Sequence, residues 1–427
     1  VPINPAYTTR ELSYILADAE PAAIVYDADV APTVEPLIAA LGIARAVRLG
    51  ADGTALDRWG NDVAQHLPPL PRPDDLATLQ YTGGTTGSPK GVNITHRQMA
   101  VNVSQREAAL PTRAEDERIL CVMPLFHVFA VAMCLHLAAY CRGRLVVMRR
   151  HNAPGVLDLI ASERITRLPA GPTVFIGLLN DESFAGTDFS SLRTAYSGSA
   201  PLPEDTLRRW QERTGSPILE GYGQTEAGPV LTYVREGGQP KPGSCGPALP
   251  LTEIEIVDTE TGRQALGPGK LGEIRARGPQ IMSGYRNKPA ETSEALRGGW
   301  LHTGDIGEVD ADNCLYVRDR KKDMAIVGGY NVYPREVDEV LFTHPDVKEA
   351  ASAGVPDPYY GETIRAFVVL KPGARATAED LIGHCKANLA RYKVPSRILL
   401  VQMLPRTTVG KIDRVALRRE LASPLPS

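Results

Sequence analysis

Short runs of aliphatic and β-branched residues alternate along this chain with segments that have the apolar spacing of helices. AAIVY (22–26), RLVVM (144–148) and RILLV (397–401) are typical of strands, whereas PGVLDLIASERI (154–165) and PEDTLRRWQERTG (203–215) are typical of helices. Alternation of this kind predicts helices layered on sheets, an α/β fold. A chain of 427 residues, 43% of them hydrophobic, has room for about two or three domains.

Two later regions differ from this pattern. From Cys245 to Arg277, the segments TEIEIVD and GEIRARG are separated by TGR and GPGK turns, which predicts antiparallel strands and a β subdomain over about 245–318. Beyond residue 320, two helical segments, REVDEVLFTHPDV and AEDLIGHCKANLARY, flank the strand-like EAASAGV and RAFVVLK. We therefore expect a large domain over 1–319 and a compact α+β domain over 320–427.

Charge and cysteine usage exclude several functions. The 47 basic and 50 acidic residues give a net charge of -3, which lacks the basic footprint of nucleic-acid binders. The six cysteines form no C-x-x-C pair, and a reducing, cytoplasmic setting is expected. The apolar stretch Leu120–Ala139 contains Pro124, His127 and His136, so we interpret it as a buried strand and helix rather than a membrane span.

The strongest local signal is a loop rich in glycine and hydroxyl groups, YTGGTTGSPKG (81–91). Glycines let backbone N–H groups approach a ligand closely, while hydroxyls and a lysine supply donors and charge, as a polyphosphate requires. The spacing differs from the common P-loop, and a flexible linker is the alternative. The predicted phosphate contacts are Thr82, Gly83, Gly84, Thr85, Thr86, Gly87 and Lys90.

This loop resembles the phosphate-loop signature of the acyl-adenylate-forming superfamily, which includes acyl-CoA synthetases, luciferases and peptide-synthetase adenylation domains. GYGQTE (221–226) is similar to the Y-G-x-T-E motif of that family. The resemblance implies that Tyr222 lies beside adenine, that Thr225 meets the α-phosphate and that Glu226 coordinates Mg²⁺. Its other predicted nucleotide contacts are Gly221, Gly223 and Gln224.

Three further segments resemble family motifs in the expected order. SGSAP (197–201) resembles a second adenine-side loop, with Gly198, Ser199 and Ala200 as contacts. WLHTGD (300–305) implies that Asp305 accepts hydrogen bonds from ribose hydroxyls. DRKKD (319–323) implies that Arg320 contacts the nucleotide and that Lys322 is the hinge between the domains. Each segment alone is compatible with an ordinary turn or a solvated charge run.

PRTTVGKI (405–412) resembles the C-terminal P-x-x-x-x-G-K motif. The resemblance implies that Lys411 is the adenylation catalyst, because a cation beside the transferring phosphoryl group stabilises its charge. An exposed loop lysine is the alternative, but the agreement of five ordered motifs favours the catalytic interpretation.

The segments for the acid and the thiol are also recognisable. PLFHVFA (124–130) resembles the family segment beside the acyl pocket, so we expect an apolar pocket at His127, Val128 and Phe129, completed by Gly171 and Thr173. For His127 we expect a gating role. VGGYN (327–331) resembles the loop that lines a pantetheine tunnel, with Gly328, Gly329 and Tyr330 as the predicted contacts.

Over most of its length the sequence is similar to bacterial long-chain fatty-acid-CoA ligases. The resemblance implies a large multi-subdomain adenylate-forming domain, a small mobile C-terminal domain, and the use of ATP, Mg²⁺ and coenzyme A to activate a medium- or long-chain fatty acid. It also implies that about 100 residues, a domain-sized segment, precede Val1. Two alternatives stay open: transfer to a carrier protein or another acceptor, and a nucleotide-binding fragment without turnover. Peripheral membrane association and oligomeric state are also left open.

Overall fold

The structure is a computed structural model that describes residues 1–50, 69–82, 89–200, 202–238, 240–407 and 412–422. Six predicted site residues lie outside this described part of the chain: Gly83, Gly84, Thr85, Thr86, Gly87 and Lys411.

A six-stranded sheet forms the centre of the large domain. Its spatial order is β10-β9-β8-β7-β5-β6, and all neighbours are parallel except β10, which runs antiparallel to β9. Every residue of β7 and β8 is buried, as expected for parallel strands covered on both faces. The strands are β5 (Arg118–Cys121), β6 (Arg144–Val147), β7 (Arg167–Ala170), β8 (Thr194–Ser197), β9 (Ile218–Gly223) and β10 (Val230–Tyr233).

The limits of helix Glu204–Thr214, one of the helices that pack on this sheet, follow from the residues at its two ends. It begins directly after Pro203 and carries two acidic residues in its first turn, where they complement the helix dipole. It ends at Gly215, which takes the left-handed conformation with φ of 70°. Its Trp210 is fully buried and packs edge-on against the ring of Phe175 at 5.0 Å between centroids. The helix predicted from Pro203 to Gly215 is confirmed.

Three smaller sheets surround the central one. A two-stranded parallel sheet joins β1 (Ala23–Asp27) to β2 (Arg45–Leu49). A three-stranded antiparallel sheet has the order β13-β4-β3, with β3 (Leu76–Thr82), β4 (Lys90–Thr95) and β13 (Gly284–Tyr285). The third is an antiparallel sheet of β11 (Glu253–Val257), β12 (Gly272–Arg277), β14 (Leu301–Val309) and β15 (Leu315–Arg320). The antiparallel strands predicted between Cys245 and Arg277 are β11 and β12.

The C-terminal region has its own sheet and its own core. Its sheet has the order β17-β16-β19-β18, with β20 paired to β19. Three helices accompany it, Pro334–Phe342, Ala378–Asn388 and Arg414–Ala422, and the buried core includes Val337, Leu381 and Ile398. The strands are β16 (Ala325–Val327), β17 (Tyr330–Val332), β18 (Val347–Asp357), β19 (Gly361–Leu370) and β20 (Arg397–Leu400).

The segment predicted as a buried strand and helix consists of β5 followed by a composite helix. Val128–Ala130 is α-helical, Val131–His136 is π-helical and Leu137–Cys141 is α-helical again. In the described part of the chain, no helix is long and apolar enough to cross a membrane. The other helices are Thr9–Ala19, Ala31–Leu41, His96–Ala109, Ala153–Ser162, Pro172–Leu179 and Pro289–Ala295, with 3₁₀ turns at Ala28–Val30, Glu182–Gly186, Thr225–Ala227, Arg297–Gly299, Lys321–Asp323 and Arg391–Lys393.

The α/β class, with a large N-terminal domain and a small C-terminal domain, is confirmed. The exact boundary between residues 319 and 320 stays a prediction, as does the segment expected before Val1.

Candidate active site

Four of the predicted site segments meet at one edge of the central sheet. The segments 124–130, 171–173 and 198–200 follow β5, β7 and β8, and residues 221–226 run from the end of β9 into the next turn. These strands are parallel, with Ala170 opposite Ser197 and Ser197 opposite Glu220. The carboxyl ends of parallel strands form the usual ligand-binding crevice of open α/β sheets. Motif segments that are far apart in the sequence therefore lie at the same edge of the sheet.

Close packing explains three of the predicted glycines. A Cβ on Gly198 would lie 3.0 Å from the Phe129 ring, and one on Gly221 would lie 2.3 Å from the Tyr233 ring. A Cβ on Gly223 would lie 1.9 Å from the carbonyl oxygen of Pro229. Protein packing alone therefore requires glycine at 221 and 223, independently of any ligand.

Three predicted nucleotide contacts form one group, joined by a hydrogen bond and an ion pair. The Tyr222 hydroxyl donates to Oδ2 of Asp305 at 2.6 Å, and Nε of Arg320 lies 3.4 Å from Oδ1 of the same carboxylate. β14 and β15 create this arrangement by placing Asp305 opposite Arg320. Burial, followed by the Asp305 charge, raises the pKa of Tyr222. The Tyr222 to Asp305 contact was not predicted, because the two residues are 83 positions apart.

A second group surrounds Glu226, which lies in the 3₁₀ turn Thr225–Ala227. The Tyr285 hydroxyl donates to Oε1 of Glu226 at 2.8 Å, and Nζ of Lys90 lies 5.0 Å from the centre of the Tyr285 ring. Burial raises the pKa of Glu226, while the hydrogen bond from Tyr285 and the charge of Lys90 oppose the rise. Tyr285 was not predicted from the sequence, because it lies outside every segment that resembles a family motif.

The ends of the phosphate-loop segment are held side by side. Thr82 is the last residue of β3 and Lys90 the first of β4, and they are direct partners in the antiparallel ladder. Strand pairing therefore fixes Lys90 beside Thr82. Two other predicted nucleotide contacts have a defined backbone. Gln224 donates its backbone N–H to the Pro229 carbonyl at 2.9 Å. Ser199, which directly precedes Ala200, has a positive φ of 70°.

Of the predicted acyl-pocket residues, Val128 lies in the lining of a described cavity. A small cavity brings Val128 together with Thr225 and His136. Burial and the Arg106 charge lower the pKa of His136 to about 4, so its imidazole is neutral near pH 7. The other lining residues are Thr78, Gln80, Ile94, Met99, Val131, Ala132, Gly228 and Pro229.

The other predicted acyl-pocket residues are not in the described lining of this cavity. His127 Nδ1 accepts a hydrogen bond from the Phe129 N–H at 3.3 Å, which caps the following helix. Gly171 precedes helix Pro172–Leu179, and Thr173 is exposed at its start. Their role in acid binding stays a prediction.

The predicted thiol-side residues lie in the C-terminal region. Gly328 and Gly329 connect β16 to β17 with φ values of 57° and 86°, a turn that requires glycine. The Tyr330 ring stacks on Tyr392 with centroids 4.6 Å apart. Lys322 lies in the 3₁₀ turn Lys321–Asp323, directly after β15, and burial lowers its pKa.

The fit of Mg²⁺ to Glu226 follows from the donor type. Mg²⁺ prefers oxygen ligands and is usually held by one or two carboxylates together with substrate phosphates and waters. Glu226 supplies one partly buried carboxylate with Lys90 nearby. A single carboxylate of this kind suits a cation whose other ligands are phosphate oxygens and waters.

Comparison with known proteins agrees with this geometry. Residues 1–286 match the AMP-binding enzyme family, and residues 336–411 match the AMP-binding enzyme C-terminal domain. A long-chain-fatty-acid–CoA ligase of Bacillus subtilis (strain 168) is 38% identical over 98% of this chain and 80% of the relative. A feruloyl-CoA synthase of an Amycolatopsis species is 37% identical over 98% of this chain and 83% of the relative.

Solved structures give the same result. The ATP-bound crystal structure of MatB from Rhodopseudomonas palustris matches with a TM-score of 0.92 and 33% identity, covering 98% of this chain and 83% of that chain. The chain therefore belongs to the AMP-binding enzyme family, whose adenylate-forming fold it shares. The relatives support an adenylate-forming acyl-CoA ligase activity, while the acids in their names differ.

Proposed function

We propose that the chain is an AMP-forming acyl-CoA synthetase that converts a medium- or long-chain fatty acid into its CoA thioester. The carboxylate would attack the α-phosphorus of ATP and release pyrophosphate, and the thiol of CoA would then attack the acyl-AMP and release AMP. The observation that carries the proposal is the meeting of two groups at one sheet edge, Tyr222 with Asp305 and Arg320, and Glu226 with Tyr285 and Lys90.

The residues divide between the two ends of the nucleotide. Asp305 would accept hydrogen bonds from the ribose hydroxyls, with Tyr222 and Arg320 holding its carboxylate in place. Residues 82–87 and Lys90 would bind the phosphates. Glu226 would hold Mg²⁺, which neutralises phosphate charge when it is bound.

Lys411 would act in the first step only. A cation beside the α-phosphate stabilises the charge on the transferring group, and positioning with electrostatics supplies most of the catalysis in phosphoryl-type transfers. Thr225 directly precedes Glu226 at the sheet edge and would orient the α-phosphate through its hydroxyl.

Two observations support an apolar acid. The cavity beside Thr225 is small, with about 20 Å³ of open volume, and is lined mainly by apolar side chains, among them Ile94, Met99, Val128 and Val131; it matches an alkyl group in polarity but not in size. The Bacillus relative at 38% identity is a long-chain-fatty-acid–CoA ligase. An aromatic acid is the second candidate, favoured by the feruloyl-CoA synthase at 37% identity over an equal share of this chain.

CoA is the proposed thiol. The turn Gly328–Gly329 carries no side chains and would let a narrow pantetheine arm pass once the small domain has turned about Lys322. Rotation of the small domain between the two steps would thus move Lys411 out of the active site and bring the Gly328–Gly329 turn into it. Transfer to a carrier protein keeps the same first step and differs only in the acceptor.

The test is acid-dependent exchange between labelled pyrophosphate and ATP over alkyl acids of increasing length and hydroxylated aryl acids, followed by addition of CoA. We expect exchange to be strongest with medium or long alkyl acids and the matching CoA thioester to appear. Exchange without a CoA thioester would redirect the proposal to another acceptor. ATP binding with no exchange for any acid would favour a fragment without turnover.

A matched pair of variants isolates the catalytic lysine. Lys411→Ala should lower exchange by about 100-fold or more, the usual effect of losing one group that stabilises transition-state charge. Lys348→Ala removes an exposed lysine of the same domain and should leave exchange unchanged. Equal exchange in both variants would contradict the role given to Lys411.

A further inference from the structure

Tyr285 contacts both charged groups on the phosphate side of the site through different parts of its side chain. Its hydroxyl donates to Oε1 of Glu226 at 2.8 Å, while its ring face lies 5.0 Å from Nζ of Lys90. A tyrosine offers these two interactions together, because its edge carries a hydrogen-bond donor and its face attracts cations.

The backbone around Tyr285 is anchored to both neighbours as well. The two-residue strand β13 pairs with β4, placing Tyr285 opposite Val92, two residues beyond Lys90. The Arg286 N–H donates to the Gly91 carbonyl at 2.7 Å. Residues 282–286 therefore join the start of β4 to the Glu226 turn, because the Met282 N–H also donates to the Glu226 carbonyl at 2.8 Å.

Tyr285 itself is fixed by a further contact. Its N–H donates to Oγ1 of Thr292 in helix Pro289–Ala295 at 2.9 Å. The ring is partly buried. With its backbone and its ring held in this way, the hydroxyl is directed at Glu226 as a hydrogen-bond donor.

We propose that Tyr285 is a positioning residue that holds the Glu226 carboxylate and the Lys90 ammonium in fixed places, and so sets the affinity of the site for a divalent cation bound with nucleotide phosphates. The inference rests on the proposed function. Because the hydroxyl fixes Oε1, it also fixes the direction in which the carboxylate presents its oxygens to a cation. Groups that orient a metal-binding carboxylate commonly change metal affinity by about 10- to 100-fold.

The ring has a separate effect. Lys90 and Glu226 carry opposite charges and are close enough to influence each other, yet Lys90 forms no ion pair with a carboxylate anywhere in the described part of the chain. Held over the ring face, the ammonium stays available for phosphate oxygens. A direct Lys90 to Glu226 pair would occupy the phosphate-binding and the cation-binding group at once.

The experiment compares Tyr285→Phe, which removes only the hydroxyl, with Tyr285→Leu, which removes the hydroxyl and the aromatic face. ATP binding is measured by calorimetry with Mg²⁺ and with a chelator, without any acid, so that no turnover is needed. Tyr285→Phe should bind ATP normally in chelator. The increase in ATP affinity that Mg²⁺ causes should be smaller in this variant by about 10-fold or more. Tyr285→Leu should in addition bind ATP more weakly in chelator.

Tyr316→Phe is the matched control. Tyr316 also donates its hydroxyl to a carboxylate, Oδ2 of Asp310 at 3.3 Å, and neither residue is among the predicted site residues. For Tyr316→Phe, the increase in ATP affinity on adding Mg²⁺ should equal that of the unaltered chain. An unaltered chain that shows no Mg²⁺-dependent ATP binding contradicts the proposed function itself.

If the unaltered chain binds Mg²⁺ and ATP together and Tyr285→Phe keeps the full gain, the positioning role is overturned. It is also overturned if Tyr285→Phe loses ATP binding equally with Mg²⁺ and with chelator while its melting temperature falls well below that of Tyr316→Phe. That pattern would indicate a role in folding alone.

Discussion

Replacing Glu220 with glutamine should make the chain more stable, and the gain should depend on pH. Glu220 belongs to β9, the residue is 7% exposed, and its Oε2 accepts a hydrogen bond from the Leu202 N–H at 3.3 Å. Burial raises its pKa from the ordinary 4.5 to about 7, while that N–H and the charge of Arg335 oppose the rise. A glutamine oxygen can accept the same hydrogen bond without carrying a charge.

The sign follows from proton binding in the two states. Between pH 4.5 and about 7 the folded carboxyl holds its proton while the unfolded one has lost it, so stability falls as pH rises through this window. A rise in pKa of this size corresponds to about 3 kcal/mol at full ionisation. The loss is absent well below pH 4.5 and complete above pH 7.

Urea unfolding at several values between pH 5 and pH 8, followed by tryptophan fluorescence, measures the effect, since the fully buried Trp210 reports on the same sheet. The difference in unfolding free energy between Glu220→Gln and the unaltered chain should increase toward pH 8 by up to about 3 kcal/mol. Glu260→Gln replaces an exposed glutamate and should show no such increase. A difference that is constant with pH would refute the reasoning.

Two further predictions concern packing and buried charge. Arg414→Gln should destabilise the C-terminal region by about 3 to 5 kcal/mol, because the Arg414 guanidinium lies 3.4 Å from Asp338 and 3.9 Å from Asp323, both buried. Thermal unfolding measures this loss, and Arg414→Lys should recover part of it. Gly223→Ala should cost about 1 to 3 kcal/mol, because the new Cβ would meet a backbone carbonyl at 1.9 Å. Gly177→Ala, in a helix with no atom near the added Cβ, should instead be neutral or stabilising, and equal melting temperatures for both alanine variants would contradict the packing argument.

Local sequence signals were sufficient for the elements whose ends are chemically marked. Helix Glu204–Thr214 begins after a proline and ends at a left-handed glycine, so its limits can be predicted from adjacent residues. The strands β11 and β12 were predictable from alternating polarity and turns between them. The shared location of the motif segments also follows from sequence once the strands are taken as parallel, because their carboxyl ends must then lie at one edge.

Contacts between distant segments were not predictable. Tyr285 reaches Glu226 across 59 positions from a strand of only two residues, which leaves no periodicity to detect. The π-helix Val131–His136 likewise has no separate signal in its apolar sequence. The fully buried Arg106, which donates to the Ala132 carbonyl in that π-helix, lies in a segment with a weakly amphipathic pattern. Such features depend on which segments meet in three dimensions.

The most direct test of the proposed acyl-adenylate is to follow oxygen atoms from the acid. A fatty acid with both carboxylate oxygens labelled with ¹⁸O is incubated with the chain, ATP, Mg²⁺ and CoA, and the nucleotide product is analysed by mass spectrometry. Because the carboxylate oxygen bridges carbon and phosphorus in acyl-AMP and stays with phosphorus when the thiol attacks, the AMP should carry one ¹⁸O. Unlabelled AMP, or ADP in its place, would contradict an acyl-adenylate intermediate.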